Sequence, residues 1–149
     1  MVDLDNLQAY RENNRIEAKQ ALGGLPESIW ETYSAFANAG GGVILLGVEE
    51  LPDKSLHALD LLDPGWLLED FWAIIRDPAQ VNRCILSEEH VKLLQIDGKT
   101  IIAITVPASE RIVYIGDDPY RGTYRRCGEG DYRCSRAEVA QMLQKEEAT

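Results

Sequence analysis

The sequence of 149 residues predicts an α+β fold: a single domain with a mixed or largely antiparallel sheet packed with about three helices. Three observations carry that expectation. Apolar residues recur at helical spacing in three separate stretches, and short β-branched or alternating runs lie between them without a repeating βαβ order. Asp97-Gly98 between two apolar runs is a strong hairpin signal, which requires antiparallel pairing. The length suits about one domain with a real core.

In chain order, Arg15 to Lys19 alternate polar and apolar, a short strand on which Glu17 and Lys19 share a face. Pro26 suits a first helical turn. Ile29, Trp30, Tyr33, Phe36 and Ala37 then build the apolar side of a helix that stops near Asn38. Asn38 and Gly40 to Gly42 tolerate the left-handed backbone of a helix end and let the next strand pack close. Val43 to Val48 is a nearly continuous apolar run of the kind buried on both faces of a sheet, and it delivers Glu49 and Glu50 to the sheet rim. After an acidic, Leu-rich loop, Leu67, Phe71, Trp72 and Ile75 keep helical spacing over Trp66 to Arg76, with Pro78 closing the helix. Val91 to Ile96 and Thr100 to Val106 are the hairpin arms. Val113 to Ile115 and Thr123 to Arg126 look like further strands, separated by turns at Asp118, Pro119 and Gly122. Ser135-Arg136-Ala137-Glu138 is a capping box opening a last helix, with Val139, Met142 and Leu143 on its apolar side.

A formal charge of −10 argues against coating nucleic acid by bulk attraction, which depends on Lys and Arg displacing counterions. The charge is unevenly placed. Arg111, Arg121, Arg125, Arg126, Arg133 and Arg136 share one C-terminal stretch, whereas acids crowd Glu49 to Asp77 and the tail. A local basic strip can still guide a phosphate backbone; alternatively these arginines pair with Asp117, Asp118, Glu129 and Asp131. No run approaches the roughly 18 apolar residues of a membrane span, and no secretory leader precedes Asp3 and Asp5. The expectation is a cytoplasmic protein with no membrane partner. Cys84, Cys127 and Cys134 are odd in number and lack C-x-x-C spacing, so they read as reduced structural thiols. Zinc is not expected, because it would need His57 or His90 beside them in space.

Glu17 and Lys19 set a carboxylate beside an ammonium, as metal-assisted phosphodiester cleavage requires: carboxylates hold Mg²⁺ or Mn²⁺, and lysine offsets developing charge. The same pair also suits a solvated strand face with an ion pair. Glu49 and Glu50 are neighbours on a strand and point to opposite faces, so only one could join Glu17. From Gly122 to Asp131, Tyr124, Arg125 and Arg126 offer stacking and phosphate contacts, and Gly128 and Gly130 permit a tight loop presenting backbone N–H groups. The alternative there is a structural turn with Tyr124 in the core and Asp131 capping amides. Gly-x-Gly here lacks a following Gly-Lys-Ser/Thr, so ATP binding is not predicted.

Several of these segments together resemble the Schlafen AlbA-2 domain, also called the divergent AAA-4 domain. They are Arg15 to Lys19, Ser34-Ala35-Phe36-Ala37-Asn38 with its glycines, Ile44 to Glu50, Val106-Pro107-Ala108, Val113-Tyr114-Ile115 and Gly122 to Asp131. The resemblance runs from about Tyr10 to Leu143. It implies an α+β domain that binds nucleic acid, chiefly DNA, as a module of a transcriptional regulator. It also implies an ATPase-like or winged-helix region C-terminal to this domain in a full-length protein. Through the vertebrate relatives it further implies a divalent-metal-dependent endoribonuclease acting on tRNA- or rRNA-type substrates, with Glu12, Glu17 and Glu50 as metal ligands. Glu50 stands where those relatives carry aspartate. Glu12 and Glu17 are an odd number of residues apart, so a turn or bulge at Asn13-Asn14 would have to align them.

Three functions follow as expectations. The first is a nonenzymatic module for DNA or RNA, contacted by Arg111, Arg121, Tyr124, Arg125, Arg126 and Arg133. The second is a Mg²⁺- or Mn²⁺-dependent RNase using Glu12, Glu17 and Glu50 with Lys19. The third is a protein-interaction or dimerisation module, a homodimer included, that docks through its acidic surface. No other cofactor is expected.

Overall fold

A computed structural model of the protein describes residues 15–148. Its fold is α+β. The main sheet has strand order β1-β2-β6-β5, built from β1 (Ile16–Lys19), β2 (Gly42–Leu46), β5 (Val91–Ile96) and β6 (Lys99–Val106). Only the β1–β2 pairing is parallel, because α1 (Ile29–Asn38) is the crossover between them; β6 runs antiparallel to both β2 and β5. The hairpin turn predicted at Asp97-Gly98 is there, with φ of 53° and 77°, the two positive values a tight hairpin turn needs.

The predicted helices fall at Ile29–Asn38, at α2 (Pro64–Ile75) and at α4 (Arg136–Glu147). Pro26 lies just before the first of them, its carbonyl accepting from Ile29 N. A one-turn α3 (Pro119–Gly122) is added, with Asp118 capping it through Tyr120 N. Both halves of the α4 capping box form: the Ser135 hydroxyl accepts from Glu138 N at 3.1 Å, and the Glu138 carboxylate accepts from Ser135 N at 2.7 Å.

Two departures from the expected strands matter. The run Val43 to Val48 is not one strand. Gly47, at φ +84°, breaks it, and β3 (Val48–Glu50) turns away to pair antiparallel with β4 (Leu56–Ala58). A Cβ on Gly47 would sit 2.7 Å from Leu61 Cγ, so the break combines a backbone requirement with a steric one. Val113 to Ile115 forms only isolated bridges, whereas the strand expected at Thr123 to Arg126 is present as β7 (Tyr124–Cys127) and pairs in a hairpin with an added strand, β8 (Gly130–Arg133).

Side-chain alternation sends the sheet's two faces to different cores. Ile44, Leu46, Ile102 and Ile104 face α1 and α2, packing with Tyr33, Phe36 and Phe71. Ile16, Leu45, Ile101 and Ala103 face the other way, with Val48 and Leu56 from the small β3–β4 sheet. Gly42 sits where a Cβ would lie 2.7 Å from the Phe36 ring, the close approach that the glycine run predicted. Among the described residues no helix is long and apolar enough to cross a membrane.

Candidate functional site

The register of β1 on β2 pairs Glu17 with Ile44 and Lys19 with Leu46, which turns both charged side chains toward α1 and the β7–β8 hairpin. There they meet Arg126. Its guanidinium lies 3.0 Å from Glu17 Oε1 and 2.7 Å from Asp131 Oδ1, donates to Ile16 O at 3.1 Å, and stands 4.9 Å from the centre of the Phe36 ring. Its side chain is 1% exposed, so these contacts replace water almost completely. The Thr32 hydroxyl of α1 donates to Asp131 Oδ2 at 2.5 Å. Lys19 Nζ is 3.5 Å from Glu17 Oε2 and donates to Ser28 Oγ at 2.9 Å. Glu17 is therefore held between two cations, and the cluster ties β1, α1, β7 and β8 into one unit.

A second polar anchor positions the same hairpin. The Ser34 hydroxyl on α1 donates to Val113 O at 2.8 Å and accepts from Tyr124 N at 3.0 Å. Asn38, one turn later, donates from Nδ2 to Val113 O and Tyr124 O and accepts from Val113 N at Oδ1. The Ser34 to Asn38 motif thus has a physical purpose. Its two polar residues hydrogen-bond the backbones of Val113 and Tyr124, while Phe36 is fully buried in the core.

Because directly opposed residues of an antiparallel pair share a face, Arg126 with Asp131 and Tyr124 with Arg133 lie on alternate pairs from Arg125 with Tyr132. Of the first set, Tyr124, Arg126 and Asp131 turn inward, while Arg133, the last residue of β8, is exposed. Tyr124 is 8% exposed and cannot stack on a base; its ring belongs to the core alternative, and Arg126 is likewise enclosed. Asp131 takes Arg126 and Thr32 rather than the backbone amides foreseen for it. The outward set exposes Tyr132, at 52%, with the Arg125 guanidinium 5.9 Å from its ring centre and 3.3 Å from Glu138 on α4. Tyr132 escaped the sequence reading. The available signal was the two-residue alternation from Tyr124 through the Gly128 turn, had a second hairpin been assigned.

The remaining arginines divide between pairing and exposure. Arg121 is solvent-exposed, 3.7 Å from Asp118. Arg133 has no ion pair among the described residues; with Arg121, Trp30, Tyr124, Glu27 and Glu31 it lines a groove of about 640 Å³. Arg111, likewise without an ion pair among the described residues, shares a cleft of about 500 Å³ with Lys145, Asn38 and Met142. Pairing with acids thus accounts for Arg121, Arg125 and Arg126 but not for Arg111 and Arg133.

Glu12 lies outside the described residues. Glu50 is in the β3–β4 sheet, 3.4 Å from Lys54, and Glu49 is registered opposite His57. His57 Nε2 is 2.7 Å from Ser55 Oγ. Among the described residues no group of three His, Cys, Asp or Glu side chains is arranged to hold a metal ion. Glu17 faces Arg126 and Lys19, and Glu50 faces Lys54. The three cysteines are free thiols. Cys134 is buried, and its pKa is pushed up by that burial and then by Glu138; Cys84 and Cys127 are exposed and so are not the packed thiols the sequence suggested.

Comparison with known proteins agrees with this geometry. The family model "Schlafen, AlbA_2" matches residues 12–135. No curated protein matches. Among solved structures, the N-terminal domain of a RecG-related protein from Nitrosomonas europaea, described as a candidate ATP-dependent DNA helicase, is 32% identical; the match covers 88% of this chain and 90% of that one, with a TM-score of 0.63. The DIP2311 protein from Corynebacterium diphtheriae shares the fold at 19% identity and a TM-score of 0.59, over 88% of this chain and 24% of that one. With the matched span containing β1, the Ser34–Asn38 anchor and the β7–β8 hairpin, the chain belongs to the Schlafen AlbA_2 family.

Proposed function

We propose that this domain binds nucleic acid, with the outward face of the β7–β8 hairpin as the contact surface. The observation that carries the reading is the exposed Tyr132 ring beside Arg125, on a hairpin whose inner face is fixed by the Arg126 cluster. An exposed aromatic offers a stacking platform for an unpaired base, and the neighbouring guanidinium reaches phosphate. Arg133 and Arg121 add two further candidate phosphate contacts on the adjoining groove, whose lining also carries Glu27, Glu31, Asp117 and Asp118. Family membership and the description of the Nitrosomonas relative as helicase-related point to the same class of ligand, in line with a DNA-binding module of a regulator. The acidic remainder of the surface confines binding to this strip and favours single strands over a long duplex footprint.

Fluorescence anisotropy with labelled single-stranded DNA, duplex DNA and tRNA tests the proposal. Tyr132→Ala should weaken single-strand binding by about 1–3 kcal/mol with an unchanged circular dichroism spectrum. Arg125→Ala should weaken it in a salt-dependent manner. Absence of binding by the parent, or equal binding by Tyr132→Ala, defeats the reading.

A further inference from the structure

Around the loop after β1 and the start of α2, three large apolar side chains stand in solvent. Leu62 is 94% exposed, Leu22 58% and Trp66 51%. They are not scattered. Leu22 follows β1, Leu62 precedes α2, and Trp66 lies in the first turn of α2; together they surround a cleft of about 390 Å³ floored by Leu61 and Leu67. The far edge of the Trp66 ring lies 3.9 Å from where a Cβ on Gly24 would be, so the loop after β1 runs close beside it. Exposed apolar side chains grouped around a preformed cleft mark an interaction surface, and Trp is a favoured hot-spot anchor.

Charge selects the occupant. Asp60 and Asp63 line the cleft, and Glu69 and Asp70 follow Trp66 by three and four residues on the same side of α2. No Lys or Arg lines the cleft, and neither Asp60 nor Asp63 is in an ion pair among the described residues. One oxygen of each is used locally: Asp60 accepts from Thr100 N and Asp63 caps α2 at Trp66 N. A second copy of this chain would bring the same carboxylates face to face, since a two-fold interface pairs a patch with itself. Nucleic acid is disfavoured by the same charge. We propose that this cleft docks a partner protein through a short amphipathic helix that inserts apolar side chains between Leu22, Leu62 and Trp66 and carries Lys or Arg along its flank. None of the residues lining this cleft belongs to the β7–β8 hairpin.

The test uses the full chain and two synthetic amphipathic helical peptides with the same Leu/Trp face, one with Lys and one with Glu on the polar face. Titration followed by calorimetry should show the Lys peptide binding at least tenfold more tightly than the Glu peptide. Trp66→Ala and Leu62→Ser, both at exposed positions, should each weaken the Lys peptide at least tenfold, and Asp60→Asn should weaken it less. Tyr132→Ala should leave it unchanged, which separates this surface from the hairpin. Equal binding of the two peptides, or full retention by Trp66→Ala and Leu62→Ser, overturns the proposal. So does a concentration-dependent dimer in sedimentation that Leu62→Asp abolishes, because the patch would then be a self-contact.

Discussion

Arg126 shows how much a single side chain can organise. Enclosed at 1% exposure, it is met by Glu17, Asp131, the Ile16 carbonyl and the Phe36 ring, which offset the cost of burying its charge. Arg126→Met would leave Glu17 and Asp131 without their shared cation, and urea denaturation should register a loss of about 3–5 kcal/mol. Glu17→Gln should cost less, because Asp131 still faces the guanidinium. The cysteines give a second prediction at this scale. The thiolate is the nucleophile, and burial holds Cys134 in its thiol form. Mass spectrometry after brief alkylation at neutral pH should find Cys84 and Cys127 modified and Cys134 spared; modification of all three at one rate would contradict the packing described.

At the level of elements, α1 is the organiser of the site and α4 its clamp. Asn38 connects the end of α1 to Val113 and Tyr124 by hydrogen bonds that Ala could not replace. Asn38→Ala leaves buried strand backbone unsatisfied and should cost about 1–3 kcal/mol, seen as a lowered urea midpoint. Helix α4 begins with its capping box, and Ser135→Ala should cost about 1 kcal/mol. The Glu138 carboxyl is held below the usual carboxylate range, first by the Ser135 backbone N–H, then by its hydroxyl and by Arg125. Its pKa is depressed on folding, so its contribution is present above the unfolded value, about 4.3, and is lost as pH falls through the folded one. Acid titration followed by circular dichroism should therefore show α4 loosening at low pH in the parent, and Glu138→Gln should flatten that response.

For the molecule as a whole, charge separation is the governing fact. A net charge of −10 coexists with one arginine-bearing hairpin and with a bare apolar patch rimmed by carboxylates. If Arg121, Arg125 and Arg133 make the phosphate contacts, log K for single strands should fall with log salt at a slope of about −2, from about −0.7 per phosphate neutralised. A slope near zero would indicate that stacking on Tyr132 acts without the arginines. Incubation of structured RNA with Mn²⁺ distinguishes the enzymatic reading. The ion pairs of Glu17 with Arg126 and Lys19 lead us to expect intact RNA; cleavage lost in Glu17→Gln but not in Tyr132→Ala would instead establish a nuclease.

The sequence by itself determined the fold class, three helices, the Asp97-Gly98 hairpin, the α4 capping box and the shared face of Glu17 and Lys19. Each depends on short-range rules: periodicity, turn chemistry and strand alternation. What it could not decide was which charges face each other. Tyr124 and Tyr132 look equally suited to stacking as letters, and Arg125 and Arg126 are neighbours with opposite fates. One residue of register in β7–β8 exposes Tyr132 and Arg125 and sends Tyr124 and Arg126 inside. The partners that make burial of Arg126 tolerable lie at Glu17, Phe36 and Asp131, on three other elements. Tertiary packing alone brings them together, because a desolvated charge is stable only where the whole fold converges on it.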